Sequence, residues 1–266
     1  MIDDLKVVTL QEVRKNDFDY ITSSHIFDKL YYSLDFRKPG PYDTTNRKLG
    51  CMIGVIGNFD VEQFGVLPRT AFPDRTLFSD INIDGITFKI VCFHSLTGVG
   101  YKKTKPAQFT GVAEYLHFHK EVPTICCFDA NETEVDHYDM DNVQLFKQNG
   151  DRGVGASLIL SNRPVHRMKD TYRTWFDKNK EILDVIKAKQ DSVQDEKELK
   201  YTPLTASHII NGKFPKRYDY IFSSEEFKVK NVEYRMEDSL KAGSDHAMVV
   251  TDLQLDYSML LPRLKM

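Results

Sequence analysis

The sequence predicts an α+β chain built mainly from packed β-sheets, not a doubly wound parallel fold. Three observations carry this. Eight short apolar runs have strand length, turn residues such as Asp84-Gly85 and Asn149-Gly150 punctuate them, and only two segments show helical spacing. In chain order, strands are expected at 7–10, a β-branched run, and at 49–56, with Met52, Ile53, Val55 and Ile56. Over 86–95, Ile86, Phe88, Ile90, Cys92 and His94 alternate onto one face of a strand. Further strands are expected at 124–128, 154–160, 218–222, 227–236 and 247–255.

The first helix is expected over 105–120. Thr104 is placed to cap it, and Pro106 lies in the first turn, where a missing N–H costs nothing. Phe109, Val112, Tyr115, Leu116 and His119 then recur at helical spacing. The second helix is expected from Trp175 to about Lys200, with Thr174 and Asp177 resembling a capping box. Trp175, Ile182, Ile186 and Val193 repeat in it at near-heptad spacing, which suits a surface helix with one buried stripe or an inserted arm that docks a partner. No shift in composition divides the chain. Residues 1–266 are therefore read as one domain with a helical insertion at about 165–205.

Composition narrows the function classes. Hydrophobic residues make up 41% and charged residues 28%, which excludes collagen-like, mucin-like and wholly disordered chains. The net charge of −3 means that contact with nucleic acid has to rest on local basic clusters. The four cysteines, Cys51, Cys92, Cys126 and Cys127, form no CxxC pair, and three lie in apolar runs, so they read as buried thiols. No apolar run approaches the ~18 residues of a membrane span, and residues 1–4 carry no secretory pattern. The expectation is a cytoplasmic monomer.

Chemistry is indicated by the polar residues that stand at strand ends. Glu12 follows the strand at 7–10, His94 closes the one at 86–93, and Asp129 and Asn131 follow 124–128. Asp219 lies inside Arg217-Tyr218-Asp219-Tyr220-Ile221, and Asp245-His246 precede the final strand. One acid or amide behind an apolar strand is commonly a cap or turn former; five such places are harder to explain as turns. Carboxylates with an amide oxygen suit a hard divalent cation such as Mg²⁺ or Mn²⁺. Two histidines beside them can exchange a proton or donate to an anion near neutral pH. A metal, a histidine and a positioned water make a site for phosphate ester hydrolysis.

These segments, in this order from Leu10 to Leu255, make the chain similar to the endonuclease/exonuclease/phosphatase superfamily, the fold of DNase I and exonuclease III. Leu10-Gln11-Glu12-Val13 resembles its LQE segment, Phe93-His94-Ser95 its strand-end His motif, and Phe128-Asp129-Ala130-Asn131 its GDxN motif. Arg217-Tyr218-Asp219-Tyr220-Ile221 resembles its R-x-D-Y-I segment, and Ser244-Asp245-His246 matches SDH. The resemblance implies a four-layer α/β sandwich of two packed mixed β-sheets flanked by helices. It implies metal ligation by Glu12 with help from Asp245, and water and phosphate positioning by Asp129 and Asn131. His94 would contact the phosphate, and His246, oriented by Asp219, would act as general base or phosphate ligand. Three departures stand out. Leu10 lies too near the start of the sequence for the family's first strand and its Asn, Phe128 replaces a Gly, and no Glu is assignable as partner to His94.

Two basic clusters flank the motifs: Lys102, Lys103 and Lys105 after His94, and Lys213, Lys216 and Arg217 before Asp219. Each is a solvated loop or a holder of substrate phosphates, and Lys102, Lys103, Lys105 and Arg217 are the candidates for the latter. The expected function is a Mg²⁺- or Mn²⁺-dependent phosphoesterase acting on phosphodiester bonds, a nuclease on DNA or RNA. The alternatives are a phosphomonoesterase or phospholipid/inositol-phosphate phosphatase of the same fold, and a non-catalytic binding module.

Overall fold

The computed structural model describes residues 5–41, 44–147 and 150–260. The expectations for residues 1–4 and for a turn at Asn149 lie outside them. Among the described residues thirteen strands are formed: β1 (Lys6–Val13), β2 (Lys29–Tyr32), β3 (Gly50–Ile56), β4 (Asp60–Gly65), β5 (Thr76–Ile83), β6 (Ile86–His94), β7 (Thr124–Asp129), β8 (Lys169–Asp170), β9 (His208–Ile210), β10 (Phe214–Lys216), β11 (Asp219–Ser223), β12 (Phe227–Arg235) and β13 (Met248–Leu255).

A six-stranded sheet in the order β4-β5-β6-β7-β11-β8 forms the central layer. Only β6 and β7 pair in parallel within it, and the helix Thr104–Phe118 makes the crossover that such a pair needs. Both faces of this sheet are covered, so β6 is apolar almost throughout. Ile90 and Cys92 face the second sheet layer with Leu77 and Ile81 of β5 and Ile53 and Val55 of β3. Val91 and Phe93 face the helices with Phe109, Val112, Ile159 and Leu160. The second layer comprises a three-stranded sheet, β1-β3-β2, and a two-stranded ribbon, β12-β13. Val7 of β1 and Leu253 and Leu255 of β13 meet the same inter-sheet core. The layers are therefore helix, sheet, sheet and helix, with Phe18 and Ile21 of the helix Lys15–Ser23 packed outside on Val13, Tyr32 and Met52.

Two expectations are corrected. Residues 154–160, expected as a strand, form the α-helix Val154–Leu160. Gly153 starts it at φ 74, and the buried residues Gly155, Ala156, Ile159 and Leu160 fall on one helical face. A Cβ on Gly155 would lie 2.5 Å from the Pro106 carbonyl oxygen, so glycine lets this helix press against the one at Thr104–Phe118. An apolar run of seven residues does not distinguish the two structures by periodicity alone. The second long helix is three shorter ones, Thr171–Phe176, Lys180–Asp191 and Glu196–Leu199. Asp170 caps the first through Tyr172 N, and Thr174 Oγ1 bonds back to Asp170 O instead of capping. Tyr172, Phe176 and Ile186 pack on Val229 and Val232, so this segment lies against the ribbon instead of projecting from it.

Candidate active site

Strand register sets three candidate residues side by side. His94 stands opposite Asp129 in the β6–β7 pair, and Asp129 stands opposite Asp219 in the β7–β11 pair. His94 and Asp129 end their strands and Asp219 begins its own, so all three lie at one end of the central strands β6, β7 and β11. A backbone irregularity adds Glu12. The β1–β3 register shifts between Leu10 and Val13, and Glu12 adopts φ 57 there. Such a bulge re-aims a side chain, and positive φ at a non-glycine residue is held only where its surroundings demand it. Glu12 Oε1 lies 3.6 Å from His94 Nε2. Asn131, also at positive φ, closes a turn in which its N–H donates to Asp129 Oδ1 at 2.8 Å and its Nδ2 donates to Ser95 O at 3.1 Å. His246 enters from the loop ahead of β13. The Ala247 N–H donates to Ser207 O, and Ser207 Oγ accepts from the N–H groups of Tyr218 and Asp219, so one segment aligns both chains. His246 Nδ1 lies 2.8 Å from Asp219 Oδ2.

The electrostatics of the two histidines diverge. Burial pulls His246 down, but the hydrogen bond and charge of Asp219, with Asp129 and Asp245 behind them, raise its pKa to about 9. It is an imidazolium at neutral pH. Burial, the Arg75 charge and then the His246 charge hold His94 well below the ordinary imidazole value. Arg75 Nη1 donates to His94 Nδ1 at 2.8 Å, which leaves the proton of the neutral ring on Nε2, 3.5 Å from Asp129 Oδ2. Burial and then the neighbouring Asp219 charge push Asp129 up to about 8.

The remaining sequence candidates are placed differently. Asp245 is exposed, next to His246. Its carboxylate groups with His208 and His246, whereas Asp129 and Asp219 group separately with His246; among the described residues Glu12 belongs to neither set. Lys102 and Lys103 are exposed. Lys105, 1% exposed, instead ion-pairs with Glu132 at 2.6 Å and donates to Asn131 O at 2.8 Å. Arg217, also 1% exposed, pairs with Asp170 at 2.5 Å and Asp136 at 2.9 Å. Neither reaches the surface where a substrate phosphate would approach, because a buried cation is retained only with its counter-charges. Lys216 is likewise buried, donating to Glu134 O at 2.7 Å, so Lys213 is the exposed member of that cluster.

Two residues were not foreseen from the sequence. Arg75 lies beside His94, its Nη1 2.8 Å from His94 Nδ1. It lies in a 3₁₀ turn, Pro73–Arg75, with no local pattern to mark it. His208 stacks on His246 with ring centroids 4.4 Å apart. Only strand pairing across 38 residues brings it there, although a histidine at the head of a short strand was a visible signal.

No family model matches the sequence, and no curated protein is detectably similar to it. Solved structures do match. The catalytic domain of human Nocturnin, with a bound sulfate anion, superposes with a TM-score of 0.58 at 15% identity, over 94% of this chain and 80% of that one. TDP2 of D. rerio, complexed with single strand DNA product, gives 0.57 at 13% identity, over 93% and 85%. An endonuclease/exonuclease/phosphatase from Bacteroides vulgatus gives 0.57 at 15% identity, over 94% and 85%. At 13–15% identity these superpositions show the fold alone: the chain has the DNase I-like fold that these structures share.

Proposed function

We propose that the chain is a divalent-metal-dependent phosphoesterase that hydrolyses phosphodiester bonds in DNA or RNA. The observation that carries this is the convergence of Glu12, His94, Asp129, Asn131, Asp219 and His246 around one end of the central strands, with a buried carboxylate holding one imidazole as a cation beside a second, neutral one. The solved structures with this fold support the reading: one holds a DNA product, and one is a mannosyl-6-phosphatase.

The donor set fits a hard cation. Asp129, Asp219 and His246 offer ligand atoms within 4.8 Å of one another, and burial and then the Asp219 charge destabilise the Asp129 carboxylate even with the His246 charge beside it, a cost that a bound cation would offset. Glu12, whose charge reaches Asp129, would hold Mg²⁺ or Mn²⁺ beside this group with Asp245 assisting, and the ion would supply charge neutralisation at the phosphoryl oxygens. Asp129 and Asn131 orient the attacking water, one accepting its hydrogen bond and the other donating. Asp219 accepts from His246 Nδ1, which turns Nε2–H toward the developing charge on the phosphorus-bound oxygens. His94, fixed by Arg75 as the Nε2–H form, donates to a non-bridging oxygen. Lys102 and Lys103 hold flanking phosphates, while Lys105 and Arg217 serve the scaffold. Four unpaired buried thiols suit a reducing, cytoplasmic setting, and no helix among the described residues is long and apolar enough to cross a membrane.

The test is hydrolysis of bis-p-nitrophenyl phosphate and of single-stranded DNA. Both should require Mg²⁺ or Mn²⁺, stop with EDTA and be lost in most part in Glu12→Gln. Activity that survives complete chelation refutes the metal assignment. A strong preference for p-nitrophenyl phosphate over both diesters makes the chain a phosphomonoesterase.

A further inference from the structure

His208 has no place in the chemistry above, yet it is built into the site. It opens β9 and bridges antiparallel to His246. The two rings lie 4.4 Å apart and 26° from parallel. Each has its Nδ1 committed to an oxygen: His246 to Asp219 Oδ2 at 2.8 Å, and His208 to the backbone carbonyl of Asp245 at 3.1 Å. An oxygen there can only accept, so Nδ1 carries hydrogen in both rings and Nε2 is the atom left for a ligand. Metal-binding histidines are held in this way, with the far nitrogen donating to a carboxylate or carbonyl that fixes tautomer and orientation. The Asp245 side chain completes the group. One ligand atom from each of His208, Asp245 and His246 lies within 4.8 Å of the other two.

Two imidazoles and one carboxylate are the donor set of zinc and its neighbours in the transition series, not of Mg²⁺, which prefers oxygen and water. Ligand bonds of about 2.0–2.2 Å bring cis donors closer than 4.8 Å. The contraction needed is a side-chain rotation, and His208 and Asp245 are exposed enough to make it while Asp219 anchors His246.

We propose that His208, Asp245 and His246 form a transition-metal site that takes Zn²⁺ and, by occupying His246 Nε2, inhibits hydrolysis. The inhibitory half rests on the catalytic reading of His246; the binding half does not. The site would make the activity respond to which divalent ion is present: a hard ion at the carboxylates supports it, and a soft one at the imidazoles stops it.

Two measurements on the full chain test this. The first is a Co²⁺ titration of metal-free protein at pH 8, followed by visible absorption, with Zn²⁺ as competitor. Wild type should develop the intense ligand-field band of a low-coordinate nitrogen-containing site and lose it to Zn²⁺. His208→Gln should bind at least about 10–100-fold more weakly, the cost seen even for losing an outer partner of a metal ligand. The second is Zn²⁺ inhibition of Mg²⁺-supported diester hydrolysis. His208→Gln should keep its Mg²⁺ activity and require at least tenfold more Zn²⁺ for half-inhibition. His208→Asn serves as second variant should His208→Gln misfold by circular dichroism. Equal Co²⁺ binding in wild type and variant overturns the site. A Co²⁺ band without any hydrolysis supports the site and overturns the catalytic reading. Zn²⁺ inhibition that ignores His208 overturns the inhibitory role.

Discussion

Asp219→Asn isolates the charge that makes His246 a cation. In the native site, burial alone would lower the imidazole, yet Asp219 at 2.8 Å, with smaller contributions from the Asp129 and Asp245 charges, takes its pKa from 6.5 to about 9. That net shift corresponds to roughly 3 kcal/mol in favour of the imidazolium. With the carboxylate replaced by an amide, burial remains and the ring returns to its ordinary value or below. At pH 7.5 the protonated fraction then falls from nearly all to about one tenth or less. The expected result is a loss of at least about tenfold in kcat at pH 7.5 from protonation alone, with more from lost orientation. His246→Ala should lose about 10²–10⁴-fold, the range for acid–base groups. The double variant should match His246→Ala, since the pair acts as one unit. The direct assay is an NMR titration of the His246 ring in metal-free protein, with pH–rate profiles on bis-p-nitrophenyl phosphate beside it. A bound divalent ion will move the alkaline limb below that of the free ring, so the difference between wild type and variant is the quantity to read. The same shift acts on stability. Because the folded pKa lies above the unfolded one, the pair's contribution is fully present below about pH 6.5 and fades as the pH rises through about 9. An Asp219→Asn ring that titrates where the wild-type ring does, or additive losses in the double variant, would refute the coupling.

Lys102→Ala with Lys103→Ala should weaken single-stranded DNA binding and flatten the log Kd against log salt slope by roughly 0.7 per lost phosphate contact, leaving bis-p-nitrophenyl phosphate turnover near wild type; an unchanged slope points to a substrate other than nucleic acid. Lys105→Ala and Arg217→Ala should instead act on stability: the first takes the cation from buried Glu132, at a cost of about 3–5 kcal/mol in urea unfolding, and the second leaves Asp136 and Asp170 with Arg173 alone, at a smaller cost; Arg217→Ala with native stability and selectively poorer DNA affinity would restore it to the substrate contacts. Gly155→Ala should destabilise by about 1–3 kcal/mol, because its Cβ meets the backbone of Pro106, and a neutral result would mean the two helices separate easily.

From residue order alone, the positions of β3, β6, β7, β11, β12 and β13 were legible, as was the habit of acids and histidines to stand at their ends. The reason is local. Alternation over five to nine residues is a property of the strand itself, and a polar residue directly after an apolar run shows in the order of residues. The strands β2 and β4 went unread because they are short and their polar, exposed positions blur the alternation; in β5, eight residues long, the buried Ser79 and the half-buried Phe78 break it. Tertiary structure decided what distance along the chain conceals. Register across β6, β7 and β11 puts His94, Asp129 and Asp219 in one row, and no spacing between residues 94, 129 and 219 encodes that register. Burial separates Lys102 and Lys103 from Lys105, and Lys213 from Arg217, because a cation's role depends on whether a counter-charge meets it in the fold. Arg75 beside His94 and His208 against His246 follow the same rule. Each is an ordinary residue in its own segment, and it acquires a partner only when two remote strands are paired.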